Sequence, residues 1–307
     1  VNEKEYEAND SSITEYSVNS FEIEGTVLKK YTGTGGAVTI PDNITSISSN
    51  AFENQKEITS VKLGKNLEEI GYSAFNGCVN LASITWNSKI NTLGAFAFAG
   101  TGITSLKIPA SITYMDDGVF QSCDSLTDAV LEMDIGLPQS LFKGCDNLKN
   151  VTISGKASYI GFDAFYSCPS LTTVRLGDGI TNLDYHTFSD CPDLTSVYMP
   201  RYLTSCNDDA FYACPNLTLY IYKETTAAIE WAEKNDMCYK IIDEKPAPIT
   251  DLKAAGYGKN KVRVSWTASP KADGYLIYGK TKSGKYGYLG MTTKNNYYVD
   301  TKAADTE

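Results

Sequence analysis

The sequence predicts a right-handed solenoid, with a parallel β-sheet on one face and turns or short helical and 3-10 pieces on the other, followed by a β-sandwich-like segment. Three observations predict it. Phe52, Phe75, Phe98, Phe120, Phe142, Phe165, Phe188 and Phe211 recur at intervals of 23, 23, 22, 22, 23, 23 and 23 residues. Other apolar positions travel with them, so that Cys168, Leu171, Val174, Leu176, Ile180 and Leu183 separate Phe165 from Phe188, while Ile58, Val61, Leu63, Leu67 and Ile70 fill the same slots after Phe52. The character of the chain then changes after Pro246 and Pro248, a short stiff linker. The chain accordingly divides into a polar N-terminal segment at 1–20, a solenoid with both caps at 21–245, and a separate module at 246–307.

A period near 23 is too short for a helix pair and suits a strand with a tight return, the length range of leucine-rich repeats. The strand lies in segments such as Val174-Arg-Leu176 and Val197-Tyr-Met199, where residues alternate in, out and in. Pro109, Pro200, Gly64 or Gly177 then stops the ladder and turns the chain. A single coil cannot hide its own Phe and aliphatics, so its stability must come from the coils above and below. The ends therefore need caps. Phe21-Glu-Ile23 through Val38-Thr-Ile40-Pro41 reads as a half coil closing the first repeat. Ala227 to Lys234 carries apolar residues at helical spacing, including Trp231, and precedes a short strand, Cys238-Tyr-Lys-Ile241-Ile242.

The constellation Ala-Phe-x-x-Cys-x-x-Leu-x-x-Val-x-Leu-Pro is carried by Ala164-Phe165-Tyr-Ser-Cys168-Pro-Ser-Leu171-Thr-Thr-Val174 and by Ala210-Phe211-Tyr-Ala-Cys214-Pro-Asn-Leu217. It resembles the BspA-like leucine-rich-repeat family over about residues 21–242. The resemblance implies a bacterial protein that is secreted or displayed at the cell surface and takes part in adhesion or host-protein binding. Phe98-Ala-Gly-Thr-Gly-Ile103 lacks both the Cys and one residue, and Ala129 and Asp134 thin the core of the next repeat, so the middle of the solenoid is expected to be locally irregular. In the final segment, Val262-Arg-Val264-Ser-Trp266 and Ala272-Asp-Gly274-Tyr275-Leu-Ile-Tyr278 resemble the first half of a fibronectin type III module. Its last strands are missing from 246–307, so either the chain continues past Glu307 or the unit is partial.

Bulk properties narrow the function. A 42% hydrophobic and 21% charged composition belongs to a soluble globular class, and no apolar run approaches a membrane span. Residues 246–307 hold ten Lys+Arg against five Asp+Glu, leaving seventeen against thirty-two before them. An acidic body without basic stripes argues against nucleic acid and anionic membranes as partners. The chain opens at Val1 with neither an initiator Met nor an apolar signal region, which points to a processed or trimmed form.

No residue set supports catalysis. Cys78, Cys123, Cys145, Cys168, Cys191 and Cys214 each follow a ladder Phe by three residues and read as a column of free, buried thiols, with disulfides or metal as the alternative. Cys206 and Cys238 read as core. His186 occupies a slot filled elsewhere by Asn50, Ser73, Asp163 and Asp209, which marks it as a polar turn position. Asp116-Asp117 and Asp208-Asp209 lack the spacing of a cation loop and read as a solvated face. Gly279-Lys-Thr-Lys-Ser-Gly284-Lys285-Tyr286 nearly matches a phosphate-binding loop, but Tyr286 replaces the Ser/Thr that would hold Mg²⁺ and no helix is predicted after it; a hairpin turn fits better.

What remains is the outward row of the sheet: Lys62, Thr85, Lys107, Val130, Thr152, Arg175, Tyr198 and Tyr220. Arg175, Tyr198, Tyr220 and nearby Tyr222, with Lys62 and Lys107, are the candidate ligand-binding residues, because Arg and Tyr dominate binding hot spots. Exposed strand positions also favour Thr, Tyr and Arg for their own sake. The expected function is a non-catalytic, monomeric interaction protein without cofactor or metal, binding an extracellular protein or glycan. The alternative is the targeting portion of a larger secreted hydrolase.

Overall fold

The computed structural model describes residues 20–153, 156–242, 249, 251–257, 261–267, 275–280, 286–292 and 294–300. They form two compact units, Val1–Ile242 and Asp243–Glu307. Among the described residues no helix is long and apolar enough to cross a membrane.

The first unit is a parallel β-solenoid whose axis is a pile of phenylalanine rings. From Phe52 to Phe211, consecutive ladder rings stack with centroids 4.5–5.8 Å apart and interplanar angles of 3–21°. The pile has a capping ring at each end. Tyr31 stacks on Phe52 at 5.1 Å with Phe21 edge-on beside it, and Trp231, from the helix Thr226–Lys234, closes on Phe211 at 5.8 Å. That helix buries Ala228, Trp231 and Ala232, the apolar spacing read from the sequence. Without these rings the terminal Phe faces would be open to water.

From Phe52 to Phe188, each ladder Phe sits between two residues in the left-handed backbone region. Two positions before it lie Asn50, Ser73, Asp163 and His186 at φ 61°, 49°, 56° and 50°. Two positions after it lie Asn54, Ser122, Ser167 and Asp190 at φ 55–59°. Small polar residues tolerate that conformation best among side chains, which is why the first slot looked like a polar turn. Phe96 adopts it too, at φ 55°, and its ring lies over Gly118, where a Cβ would stand only 2.5 Å from Phe96 Cε1.

Two strand columns run the length of the solenoid. On the front face, Gly36–Thr39, Ile58–Lys62 and Ser83–Thr85 pair in parallel, and a second, seven-stranded parallel sheet runs from Ser105–Ile108 to Tyr239–Ile242. On the return face, six strands end at Tyr114–Met115, after which only the bridges Leu137↔Ile160↔Leu183 and the pair Asn182–Leu183 with Ser205–Cys206 continue the column. Both breaks fall in the 22-residue intervals. The residue lost after Phe98 lies in its turn and shifts the next front strand off Ser83–Thr85. The residue lost after Phe120 lies near Ile135 and Gly136, and breaks the return column after Met115. The irregularity expected in the middle of the array is thus two separate one-residue deletions, one per face.

The cysteine column has a defined bonding role. Each of Cys78, Cys123, Cys145, Cys168, Cys191 and Cys214 donates its Sγ–H to the carbonyl of the ladder Phe one coil earlier, at 3.0–3.3 Å. All six are buried and free of disulfides. A thiol is small and weakly polar, so it satisfies that carbonyl at little desolvation cost. In the short coil Thr101 replaces the Cys, donating to Phe98 O at 2.9 Å and facing Cys123 Sγ at 3.3 Å.

Two cysteines expected in the core are not both there. Cys206 is half-buried and Cys238 is exposed. In the last strand Tyr239, paired with Leu219, turns toward the core, and alternation along the strand sends its neighbour Cys238 the other way. In native protein, alkylation followed by peptide mapping should therefore label Cys238 first. Label on Cys168 before unfolding would contradict the buried column.

The second unit contains a three-stranded antiparallel sheet, with Lys253–Gly256 and Asn296–Asp300 flanking Lys261–Ser265, and an antiparallel hairpin of Tyr275–Lys280 with Tyr286–Thr292. Trp266 is 5% exposed and meets Tyr275 edge to face at 4.9 Å. The loop that resembled a phosphate-binding motif joins the hairpin strands, with Lys280 opposite Tyr286; residues 281–285 themselves lie outside the described set, as do the N-terminal segment 1–19 and the linker prolines. A strand, not a helix, follows the glycines, so the motif lacks the helix N-terminus that phosphate binding uses.

Candidate functional site

Parallel pairing in strict register turns a repeat position into a line of side chains. The front-face register reads Thr39↔Lys62↔Thr85 on the first sheet and Lys107↔Val130↔Thr152↔Arg175↔Tyr198↔Tyr220↔Lys240 on the second. The row inferred from sequence is a single aligned column on each sheet, extended by Thr39 and Lys240. Lys240 escaped sequence reasoning because its strand follows the capping helix and carries no ladder Phe; its Tyr-Lys-Ile alternation was the only available signal.

The structure brings four of the six candidate residues together and leaves two apart. Arg175, Tyr198, Tyr220 and Tyr222 lie on three adjacent strands. Lys107 is separated from Arg175 by the strands bearing Val130 and Thr152, and forms an ion pair with Glu132 at 3.1 Å. Lys62 belongs to the other sheet.

At the C-terminal end the row is a continuous stack. The Arg175 guanidinium carbon lies 3.7 Å from the Tyr198 ring centroid, Tyr198 and Tyr220 stack at 4.6 Å and 12°, and Lys240 Nζ stands 5.8 Å from the Tyr220 centroid. Beside it, Arg201 lies over Tyr222 at 3.9 Å. Arg201 also pairs with Asp178, Nε to Oδ2 at 3.7 Å, while Thr225 Oγ1 donates to its carbonyl at 2.9 Å. Sequence reasoning passed over Arg201 because it follows Pro200 in a turn and has no place in the strand alternation. Each cation–π contact contributes roughly 0.5–1 kcal/mol at an exposed site, so the stack holds its long side chains in one arrangement.

The other polar clusters are engaged in holding the coils. His186 Nδ1 lies 3.5 Å from Asp163 Oδ1, and its ring sits between those of Tyr166 and Tyr185. The second Asp163 oxygen takes Lys143 Nζ at 2.6 Å. Hydrogen bonds to Asp190 and Asp209 hold the Tyr166 and Tyr185 phenols above their ordinary pKa. Asp208 is pulled down by its bonds to Lys234 and Asn235. Burial, and after it the charge of Asp116, pushes Asp117 up. Among the described residues no group of three or more His, Cys, Asp or Glu is placed to hold a metal ion.

Stacked coils of about 23 residues, a parallel front sheet and a ring ladder define a leucine-rich-repeat solenoid presenting an ordered row of side chains. The chain belongs to the BspA type leucine-rich-repeat family, whose pattern matches in six copies across residues 30–137 and 132–232. No curated protein matches it. Among solved structures it is similar to a T. pallidum leucine-rich-repeat protein at 23% identity, covering 74% of this chain and 98% of that one with a TM-score of 0.49. It is also similar to a leucine-rich-repeat protein from Bacteroides ovatus at 20% identity, with 71% of each chain covered and a TM-score of 0.41. A leucine-rich cell surface protein from Faecalibacterium prausnitzii is 20% identical, with 78% of this chain and 97% of that one covered and a TM-score of 0.36.

Proposed function

We propose that this chain is a non-catalytic, monomeric interaction protein of the bacterial cell surface, using the C-terminal end of its front sheet to bind an extracellular protein or glycan. The observation that carries this reading is the alignment of Arg175, Tyr198 and Tyr220 in one register row, stacked on one another on an outward sheet face. Tyr brings large contact area at low conformational cost and Arg brings several donors, the properties found at binding hot spots. Family membership supports surface display, and the acidic body disfavours nucleic acid and membrane partners. The second unit reads as a fibronectin type III-like module carried with the solenoid, on the support of its antiparallel strands and its buried Trp266.

The test is binding of the intact chain to immobilised extracellular-matrix proteins and surface glycans. Saturable binding is expected, and Arg175→Ala combined with Tyr198→Ala should weaken it tenfold or more. Lys62→Ala, on the other sheet, should leave it within about twofold, as a change outside the contact patch does. Binding unchanged in the double variant would remove the patch assignment, and no saturable binding to any of these surfaces would remove the function.

A further inference from the structure

The break in the return column exposes groups that the front row does not use. In the earlier coils each return strand is bonded to the next at two levels. Gly71, Gly94 and Asp116 donate N–H to the carbonyls of Ile47, Ile70 and Leu93 at 2.8–3.0 Å, and Glu68, Asn91 and Thr113 donate to those of Thr45, Glu68 and Asn91 at 2.9–3.0 Å. The next coil supplies neither bond. Pro138 stands where the donor to the Met115 carbonyl should be and has no N–H, and among the described residues no backbone N–H reaches the Thr113 carbonyl. Thr113 is exposed, so that carbonyl is an acceptor open to a ligand.

Two tyrosines flank this gap. Ser46↔Glu69↔Thr92↔Tyr114 is the outward row of the return strands, and the Leu137↔Ile160 bridge places Gly136 and Tyr159 next in it. Tyr159 folds back over Gly136: a Cβ on that glycine would meet ring atoms Cδ1, Cε1 and Cζ together, which sets the ring face-on against it. The 46% of Tyr159 that is exposed is thus its outer face and hydroxyl edge, and Tyr114, on the other side of Gly136, is 54% exposed. Among the described residues no side chain stacks on or bonds to either ring, whereas Tyr198 and Tyr220 of the front row face each other. One position before each tyrosine stands an exposed hydroxyl residue, Thr113 or Ser158, so this part of the row is uncharged.

We propose that Tyr114, Gly136 and Tyr159 build a second binding surface, apart from the front row, which takes a neutral polysaccharide in extended form. The axial C–H bonds of a pyranose ring lie well on an open aromatic face, where the ring quadrupole is negative. Its hydroxyls donate to the free Thr113 carbonyl and exchange hydrogen bonds with the Thr113 and Ser158 side chains. A peptide strand does not fit the same acceptors: just beyond them Gly118 N–H donates to the Gln139 carbonyl at 3.0 Å, so the adjoining coil is in place and leaves no room for a strand between. Neutrality follows from the uncharged row and from the acidic balance of the solenoid, which repels an anionic glycan.

The test is affinity electrophoresis of the intact chain in native gels containing mixed-linkage β-glucan, an unbranched neutral chain, or hyaluronan, an extended anionic one. Retardation by the β-glucan alone is expected, and it should be the same at low and physiological salt because no charge takes part. Tyr114→Ala with Tyr159→Ala should weaken it about tenfold or more, as loss of two central aromatic contacts does. Tyr159→Phe, which keeps the ring, should stay within about twofold, as should Tyr202→Ala, an exposed tyrosine outside the patch. Gly136→Ala lifts the Tyr159 ring from its seat and should weaken retardation severalfold with an unchanged thermal midpoint. The proposal falls if the β-glucan does not retard the chain, if hyaluronan retards it equally, if the double variant behaves like wild type, or if that variant abolishes a dimer formed through this face. Binding of the double variant to matrix proteins should match wild type, so failure here leaves the front-row function standing, and loss of front-row binding leaves this surface to be judged by the β-glucan gel.

Discussion

Phe142→Ala is expected to destabilise the solenoid by about 3–5 kcal/mol, the usual result of emptying a large aromatic site in a core that cannot collapse. Phe142 is fully buried, with Phe120 on one face at 5.8 Å and Phe165 on the other at 5.5 Å. Its carbonyl is also the acceptor for the Cys168 thiol. In a stack where each coil touches only its neighbours, stability is a sum of coil terms and interface terms, so a weak interface can uncouple the two sides. This interface is already thin, since the return column is broken between Met115 and Leu137 just before Phe142. Urea unfolding followed by circular dichroism should show an earlier first transition and a separation into two steps. Phe211→Ala removes the last rung beside the capping Trp231 and should lower stability without splitting the transition. A single step with an unchanged midpoint in Phe142→Ala would argue against the ring ladder as the source of cohesion.

The second large effect is alkaline. Burial pushes the Cys78 and Cys123 thiols up from an ordinary 9.0 to about 11, and Cys168 to about 12. Cys145 is likewise held well above the ordinary range by burial, and Cys191 is raised by its hydrogen bond to Cys214 and then by burial. The native state therefore keeps protons that the unfolded chain releases. The stability these thiols contribute is fully present below pH 9 and is lost as pH rises through the folded values near 11 to 12. The loss is about 1.4 kcal/mol per thiol for each pH unit in that window. Urea midpoints measured in reductant from pH 7.5 to 10.5 should hold steady and then fall steeply above 9. A variant with Cys78→Ala and Cys123→Ala should start less stable, having lost two buried side-chain sulfurs and their bonds to the Phe52 and Phe98 carbonyls, and fall less steeply. Parallel pH profiles in the two proteins would mean that the column does not govern alkaline unfolding.

The legibility of this chain in sequence varied with how often each feature is repeated. Phe21 and Trp231 could be read as cap residues because they stand where the period starts and fails, whereas Tyr31, the ring that stacks on Phe52, stands in no repeated column and could not. The row through Arg175, Tyr198 and Tyr220 could be read because in/out alternation recurs in every coil. By contrast, Arg201 sits in a turn and Lys240 in a strand that lies outside the period, and both were invisible to column counting although they lie against Tyr222 and Tyr220.

The sequence alone determined the coil, its length, the inward ladder and the row that faces out, because eight copies of one pattern average away local exceptions and leave only geometry that stacking can satisfy. The tertiary structure decided how the copies meet. It showed that each thiol bonds the preceding coil's Phe carbonyl, that Asn, Ser, Asp and His flank the ladder because the backbone there is left-handed, that Cys238 turns outward, and that the Tyr rings face one another. Each of these depends on atoms some 23 residues apart in the chain and a few ångströms apart in space, a distance set by strand pairing that no linear pattern encodes.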